Sequence, residues 1–171
     1  MILPSRKLVL LSQLRPDEAA NALRAAVSPR RSWRQKMFAS GRGNFMGEVG
    51  TDSFALERDI AYRNSFLPQV TGTIGLGAPA SRIDVSMKMH GATSAFLGVW
   101  LAFVFISFLM ALPGWLQTSG HGDPQFLYIT GGMTLFGIIL PNAGFYFEAK
   151  KAEQFLMTVF QAERFDPNRA I

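Results

Sequence analysis

The chain has 171 residues, of which 49% are hydrophobic and only 17% charged, and its formal net charge is +5. It contains no cysteine, which excludes disulfides, thiolate metal sites and cysteine nucleophiles. Few charges with a basic balance favour a membrane protein whose polar part meets anionic partners.

Residues 1–90 contain the polar part, which we expect to fold as a cytoplasmic α+β domain. A short helix is predicted to begin at Pro16, because proline suits the first helical turn and Asp17 and Glu18 suit the positive end of the helix dipole. The pair Ser28-Pro29 is predicted to end it.

From residue 44 onward the hydrophobic period changes to two, which is typical of half-buried strands. Residues 82–90 (RIDVSMKMH) alternate most regularly, and residues 52–63, 45–49 and 69–76 are further strand candidates. Together they predict a small antiparallel sheet of four strands with one covered face, and residues 7–12 are a candidate fifth strand. Arg58 is the odd member of the apolar face that Phe54, Leu56, Ile60 and Tyr62 form.

Two uncharged apolar stretches follow, at residues 92–116 and 125–147. Each is long enough to cross the roughly 30 Å hydrocarbon layer as a helix. The link at residues 117–124 (QTSGHGDP) is turn material, so the two spans are expected to form a hairpin across residues 91–147. Lysine and arginine occur on the outer flanks of the two spans and not in the link, which predicts that both termini are cytoplasmic.

Residues 148–171 form the third predicted part, a cytoplasmic C-terminal helix and tail. An apolar face recurs at helical spacing, with Lys150, Lys151, Glu153 and Gln154 opposite, and its members are Ala152, Phe155, Leu156, Val159 and Phe160. Two placements remain open at this point. The helix either covers the sheet or lies in the membrane interface.

The most distinctive polar cluster is Tyr62-Arg63-Asn64, with Arg58 close by in the sequence. One interpretation is a ligand or partner contact in which Arg63 grips a phosphate or carboxylate and its neighbours add hydrogen bonds. The other is structural, with Asn64 and Ser65 forming a side-chain-to-backbone turn and Tyr62 packed in the core.

Six residues of the two spans are candidates for helix packing in the membrane, because small residues let helices approach closely and polar groups in lipid need partners. They are Gly98, Ala102, Gly132, Gly137, Pro141 and Asn142. They serve either the hairpin itself or a contact with another subunit.

Residues for catalysis or cofactor binding are scarce. The chain has two histidines, His90 and His121, which the predicted topology places on opposite sides of the bilayer, and neither lies within a span as a haem ligand. No nucleophile on a strained turn and no phosphate-binding loop is present in the sequence. No nucleic-acid module surrounds the basic residues of segment 30–42. We therefore predict a protein that is not an enzyme and has no cofactor, metal or nucleic-acid partner.

The heptapeptide YRNSFLP at residues 62–68, followed by IDVSMKMH at residues 83–90 and two apolar spans, resembles a family of small uncharacterised bacterial membrane proteins. The similarity extends over about residues 43–160. It departs from the family pattern at Lys88 and Met89, where Arg and Leu are usual, and at Gly91-Ala92, where His-Pro is common. The resemblance implies a fold and a location in the bacterial inner membrane, with both termini cytoplasmic, and no activity.

Two functional hypotheses follow. The first is a non-catalytic accessory or structural subunit of a larger inner-membrane complex, respiratory or photosynthetic, with membrane lipids and that complex as partners. The second is a free-standing membrane-anchored module that binds lipid headgroups or a small anionic ligand through Arg58, Arg63 and Asn64.

Overall fold

The computed structural model of the protein describes residues 4–29, 45–60, 64–117 and 124–165. Within these ranges the chain forms three helices, α1 (Pro16–Ala26), α2 (Gly91–Gln117) and α3 (Gln125–Val159). The strands are β1 (Ser5–Ser12), β2 (Ser28–Pro29), β3 (Phe45–Val49), β4 (Ser53–Arg58), β5 (Pro68–Leu76), β6 (Ser81–Met89) and β7 (Ala162–Arg164).

The seven strands form one mixed sheet in the order β2-β3-β4-β5-β6-β1-β7. Every neighbouring pair is antiparallel except β2 and β3, which run parallel. The predicted α+β fold is confirmed, whereas the prediction of a purely antiparallel sheet of four or five strands is wrong. Strands β2 and β7 were not predicted, because two or three residues are too few to show a hydrophobic period.

The candidate fifth strand proves to be an inner strand of the sheet. β1 pairs with β6 along its whole length, from Ser5 opposite Lys88 to Ser12 opposite Ser81, and β7 flanks its other side. The N-terminal segment is therefore built into the sheet and is not an appendage of it.

One face of the sheet is covered and the other is open. In β6, Ile83, Val85 and Met87 are buried while the alternate residues Arg82, Asp84 and Lys88 are exposed. Helices α1 and α3 both pack on the covered face, through Ala19, Ala20, Leu23, Ala152 and Leu156, and Phe160 directly after α3 joins them. The predicted apolar face of the C-terminal helix thus covers the sheet, on the same side as α1.

Helix α3 is continuous from Gln125 to Val159, so the predicted second span and C-terminal helix are two halves of one helix. Its 35 residues reach about 52 Å at 1.5 Å per residue. The predicted boundary at residue 148 marks a change in polarity, but no residue there breaks a helix, and EAKKAE at 148–153 is rich in helix formers.

Helices α2 and α3 pack against each other as a hairpin, and both are long and apolar enough to cross a membrane. Only His90 separates the end of β6 from the start of α2. Because the second half of α3 lies on the sheet, the hairpin is joined to the sheet through both helices.

Candidate functional site

The candidate site lies where the second half of α3 packs on the sheet, and it is built around Arg58. This residue is the last of β4 and points to the covered face. Its Nη1 donates to the carboxylate of Glu148 on α3, whose side chain is only 2% exposed. The same carboxylate accepts a hydrogen bond from Lys151 Nζ at 2.9 Å. A buried carboxylate is tolerated because two cations and their hydrogen bonds compensate its lost hydration.

A second ion pair repeats this arrangement on β1. Arg6 also points to the covered face, and its Nη2 lies 2.6 Å from Glu153 Oε2. Arg164 on β7 approaches the other Glu153 oxygen at 3.9 Å. The prediction that Glu153 belongs to the solvent-facing side of its helix is therefore wrong, since this residue is only 8% exposed.

The two ion pairs share one physical logic. The sheet directs arginines from β1 and β4 at its covered face, and α3 supplies one acid for each. We call Arg6, Arg58, Glu148, Lys151 and Glu153 the α3 clamp. Its buried charges fix the position of α3 on the sheet, because a displaced helix would leave a carboxylate or guanidinium buried without its partner.

The clamp shifts the pKa of Glu148, which lies beyond the apolar run 125–147. Burial raises the pKa of this carboxyl, but the hydrogen bonds and charges of Lys151 and Arg58 outweigh burial and hold it below its ordinary value.

This shift predicts a loss of stability in acid. A depressed native-state pKa contributes stability at any pH above the unfolded carboxyl pKa of about 4.3, and the contribution disappears as the pH falls through the native value. In Glu148→Gln we expect the acid limb of a plot of unfolding midpoint against pH to become shallower. Glu163→Gln, an exposed change on β7, should leave the limb unchanged. An identical acid limb in Glu148→Gln would contradict the assignment.

Of the predicted polar cluster, Tyr62 and Arg63 lie outside the described residues, and Asn64 lies in the turn that leads into β5. Its side-chain oxygen accepts from the Phe66 amide at 3.0 Å, which is the side-chain-to-backbone turn proposed for Asn64 and Ser65. Phe66 in turn packs beside Gly144 of α3. Asn64 thus helps to dock this turn on α3, and the guanidinium of Arg58 points to Glu148.

The packing candidates divide into two groups. A Cβ on Gly137 would lie 2.2 Å from the Trp100 ring, so this glycine lets α2 and α3 touch, and Pro141 is buried in the same part of α3. Gly98 and Gly132 have nothing within 4 Å of a Cβ, and Ala102 is exposed.

The side-chain amide of Asn142 makes a hydrogen bond within its own helix. Its Nδ2 donates to the Ile138 carbonyl at 2.7 Å, one turn earlier in α3. The partner is thus not the carbonyl of Gly137, which Pro141 leaves without its usual amide donor.

The open face of the sheet forms a groove of about 740 Å³. Asp84 in this groove is held by Arg82 at 2.9 Å, whereas no described carboxylate pairs with Lys7. Hydrophobic periodicity could not predict this groove, since its lining residues come from strands that are distant in the sequence. The polar side chains that line it are Lys7, Ser53, Thr71, Thr73, Asp84, Ser86 and Arg164.

Within the described ranges no group of three or more histidine and acidic side chains could hold a metal ion. Comparisons with protein-family models, with curated proteins and with solved structures give no match.

Proposed function

We propose that the protein is a membrane-anchored, non-catalytic accessory subunit of a larger bacterial inner-membrane complex. The observation that supports this most is the exposure of the two long helices. Of the large hydrophobic side chains that are exposed in the described ranges, all but Leu76 and Phe165 belong to α2 and α3. In the most apolar window of each helix only 17% of the residues are buried.

Such surface favours lipid or a membrane partner over water. The helices of a soluble core bury their apolar side chains, whereas most apolar side chains of α2 and of the first half of α3 are exposed. A continuous apolar patch of this size marks an interaction surface, because it would drive association in water.

The helix register brings corresponding residues of the two helices to common depths. Leu101 and Trp100 meet Gly137, and Phe108 meets Gly131, so equal steps along the two antiparallel helices reach equal depths. Ten residues from this contact towards the sheet, about 15 Å at 1.5 Å per residue, bring Gly91 and Phe147 to one level. Tyr146 at that level and Tyr128 at the far end are exposed, as interfacial aromatic residues are.

The α3 clamp supports a structural role for the sheet domain. It joins the sheet domain to the hairpin, so a partner that binds the membrane helices also positions the sheet. In the same way, a partner that binds the sheet positions the helices. Such coupling suits a subunit that fastens one part of an assembly to another. The choice between a respiratory and a photosynthetic assembly stays a prediction.

The decisive experiment is extraction of native membranes in mild detergent, followed by native gel separation and mass spectrometry. We expect the chain to co-migrate with partners in fixed stoichiometry. A chain that migrates only as a monomer would overturn the accessory-subunit role, and release by alkaline carbonate would overturn the membrane location itself.

The absence of cysteine allows a sharp test of topology. Gln117→Cys at the end of α2 and Gln161→Cys after α3 are both exposed sites. With a membrane-impermeant maleimide we expect labelling of Gln117→Cys from the periplasm, and labelling of Gln161→Cys only after the membrane is opened. The reverse pattern would place the termini in the periplasm, against the positive-inside expectation.

The groove on the open face of the sheet supports a second candidate function, the binding of a small anionic ligand. Lys7 supplies a cation that no carboxylate of the described residues neutralises, and the surrounding hydroxyls supply donors. A panel of small carboxylates and phosphates should raise the unfolding midpoint of the purified chain, and Lys7→Gln should abolish the rise. If no compound in the panel stabilises the chain, this candidate fails.

A further inference from the structure

We infer that Lys88 and Lys150 form a binding surface for the headgroup phosphates of anionic phospholipids, at the level where the hairpin meets the sheet. The inference rests on the membrane location proposed above and adds a selectivity for lipid charge. We call Lys88 and Lys150 the junction lysines.

Depth is the first supporting observation. Lys88 lies three residues before Gly91, and Lys150 lies three residues after Phe147, the two residues that the helix register places at one level. Both lysines therefore stand just outside the apolar zone, on the side of the sheet. Headgroup phosphates occupy this depth in a bilayer.

Unneutralised charge is the second observation. Lys88 and Lys150 are exposed, and no carboxylate of the described residues pairs with either of them. The two acids of α3 near Lys150 are committed elsewhere. Glu148 pairs with Arg58 and Lys151, and Glu153 pairs with Arg6. The α3 clamp thus leaves no acid of α3 free to neutralise Lys150.

The surroundings of the two lysines complete an interfacial arrangement. Phe147 is 65% exposed and Phe96 71% exposed, so aromatic surface lies on the membrane side of both cations. Lys88 points to the open face of the sheet, whereas Lys150 lies on α3 away from the covered face, so they flank the domain on two sides. Long lysine side chains at such positions extend along apolar surface and place the ammonium among the headgroups.

The expected size of the lipid preference follows from surface electrostatics. One basic residue near an anionic surface contributes about 1 kcal/mol, which corresponds to about a fivefold change in affinity. Removal of both junction lysines should therefore weaken the preference for anionic lipid by about 25-fold, and high salt should reduce the preference in the unaltered protein.

The test uses the full chain, purified in detergent and titrated with phosphatidylglycerol or with phosphatidylcholine while the unfolding midpoint is followed. We expect phosphatidylglycerol to stabilise the unaltered chain at lower concentration than phosphatidylcholine does. Lys88→Gln/Lys150→Gln should lose this difference, and Lys88→Arg/Lys150→Arg should keep it. Glycerol phosphate at the same concentrations should have no effect, because the site needs a headgroup held in a lipid layer.

Arg82→Gln is the matched control. Arg82 lies on the same strand and the same face as Lys88, six residues or about 20 Å farther from the hairpin, and it pairs with Asp84. Its loss should not change lipid preference. An unaltered preference in the double glutamine variant, or an equal loss in Arg82→Gln, would overturn the inference.

A failure of the proposed membrane location can be distinguished from a failure of the lipid surface. If alkaline carbonate releases the chain from membranes, the proposed location and the lipid surface fail together. If the chain stays in the membrane but shows no preference for phosphatidylglycerol, the lipid surface fails and the accessory-subunit role stands.

Discussion

Arg58→Met is expected to lower the free energy of unfolding by about 3 kcal/mol, or the midpoint by roughly 10 °C. Methionine keeps much of the apolar stem but removes the charge, so Glu148, which is 2% exposed, keeps Lys151 but loses its arginine partner. The cost is that of a buried carboxylate that has lost part of its compensation. Thermal unfolding of the purified chain in detergent measures it.

The reverse truncation should be milder. In Glu148→Leu the cations left behind are Arg58 and Lys151, whose side chains are 20% and 35% exposed and can turn towards water. The double variant Arg58→Met/Glu148→Leu should recover most of the loss, because an apolar pair of similar size replaces the ion pair. A double-mutant cycle then isolates the interaction.

Arg82→Met provides the comparison for Arg58→Met. Arg82 also pairs with a carboxylate on the sheet, at 2.9 Å, but both side chains of that pair are at least half exposed. Exposed pairs contribute little. If both arginine variants unfold at the same temperature, burial of the α3 clamp is not what makes it stabilising.

Gly137→Leu is expected to separate the two helices of the hairpin. Even a Cβ at this position meets the Trp100 ring at 2.2 Å and Leu101 Cδ2 at 2.9 Å, so a larger side chain must push α2 away or expel the indole. Overpacking of this kind costs about 2 kcal/mol. A cysteine pair at Val104 and Thr134, which the helix register places at one level, should form a disulfide less readily in this background.

Gly132→Leu is the matched control for the hairpin. It lies on the same helix, five residues earlier, and nothing lies within 4 Å of a Cβ there. Disulfide yield and unfolding midpoint of the purified chain should stay unchanged or rise, since leucine favours a helix more than glycine does. Equal loss in both variants would mean that helix contact is not specific to Gly137.

Hydrophobic periodicity predicted most of the secondary structure. The alternation of residues 82–90 led to β6, and two long uncharged stretches led to α2 and the first half of α3. These patterns are local, since burial of one face dictates residue type at a fixed spacing. Strand β2 and its parallel pairing with β3 had no such pattern, because two residues show no period.

The candidate site was predictable only in part. A charge on an apolar strand face marks Arg58 as a candidate, but its partner Glu148 lies 90 residues away in the sequence. The sequence offers one indication that Glu148 is buried, because this acid interrupts the helical face formed by Phe145, Ala149, Ala152 and Leu156. Sequence spacing alone cannot match that acid to a particular arginine.

The sequence by itself determined that this chain has a polar α+β part and two long apolar helices, because composition and period are properties of neighbouring residues. Only the tertiary structure decided that α3 continues from the hairpin onto the sheet, that its acids neutralise arginines of β1 and β4, and that Gly137 faces α2 while Gly132 faces outward. Those outcomes depend on which distant surfaces meet, and the cost of burying an unpaired charge selects among the arrangements.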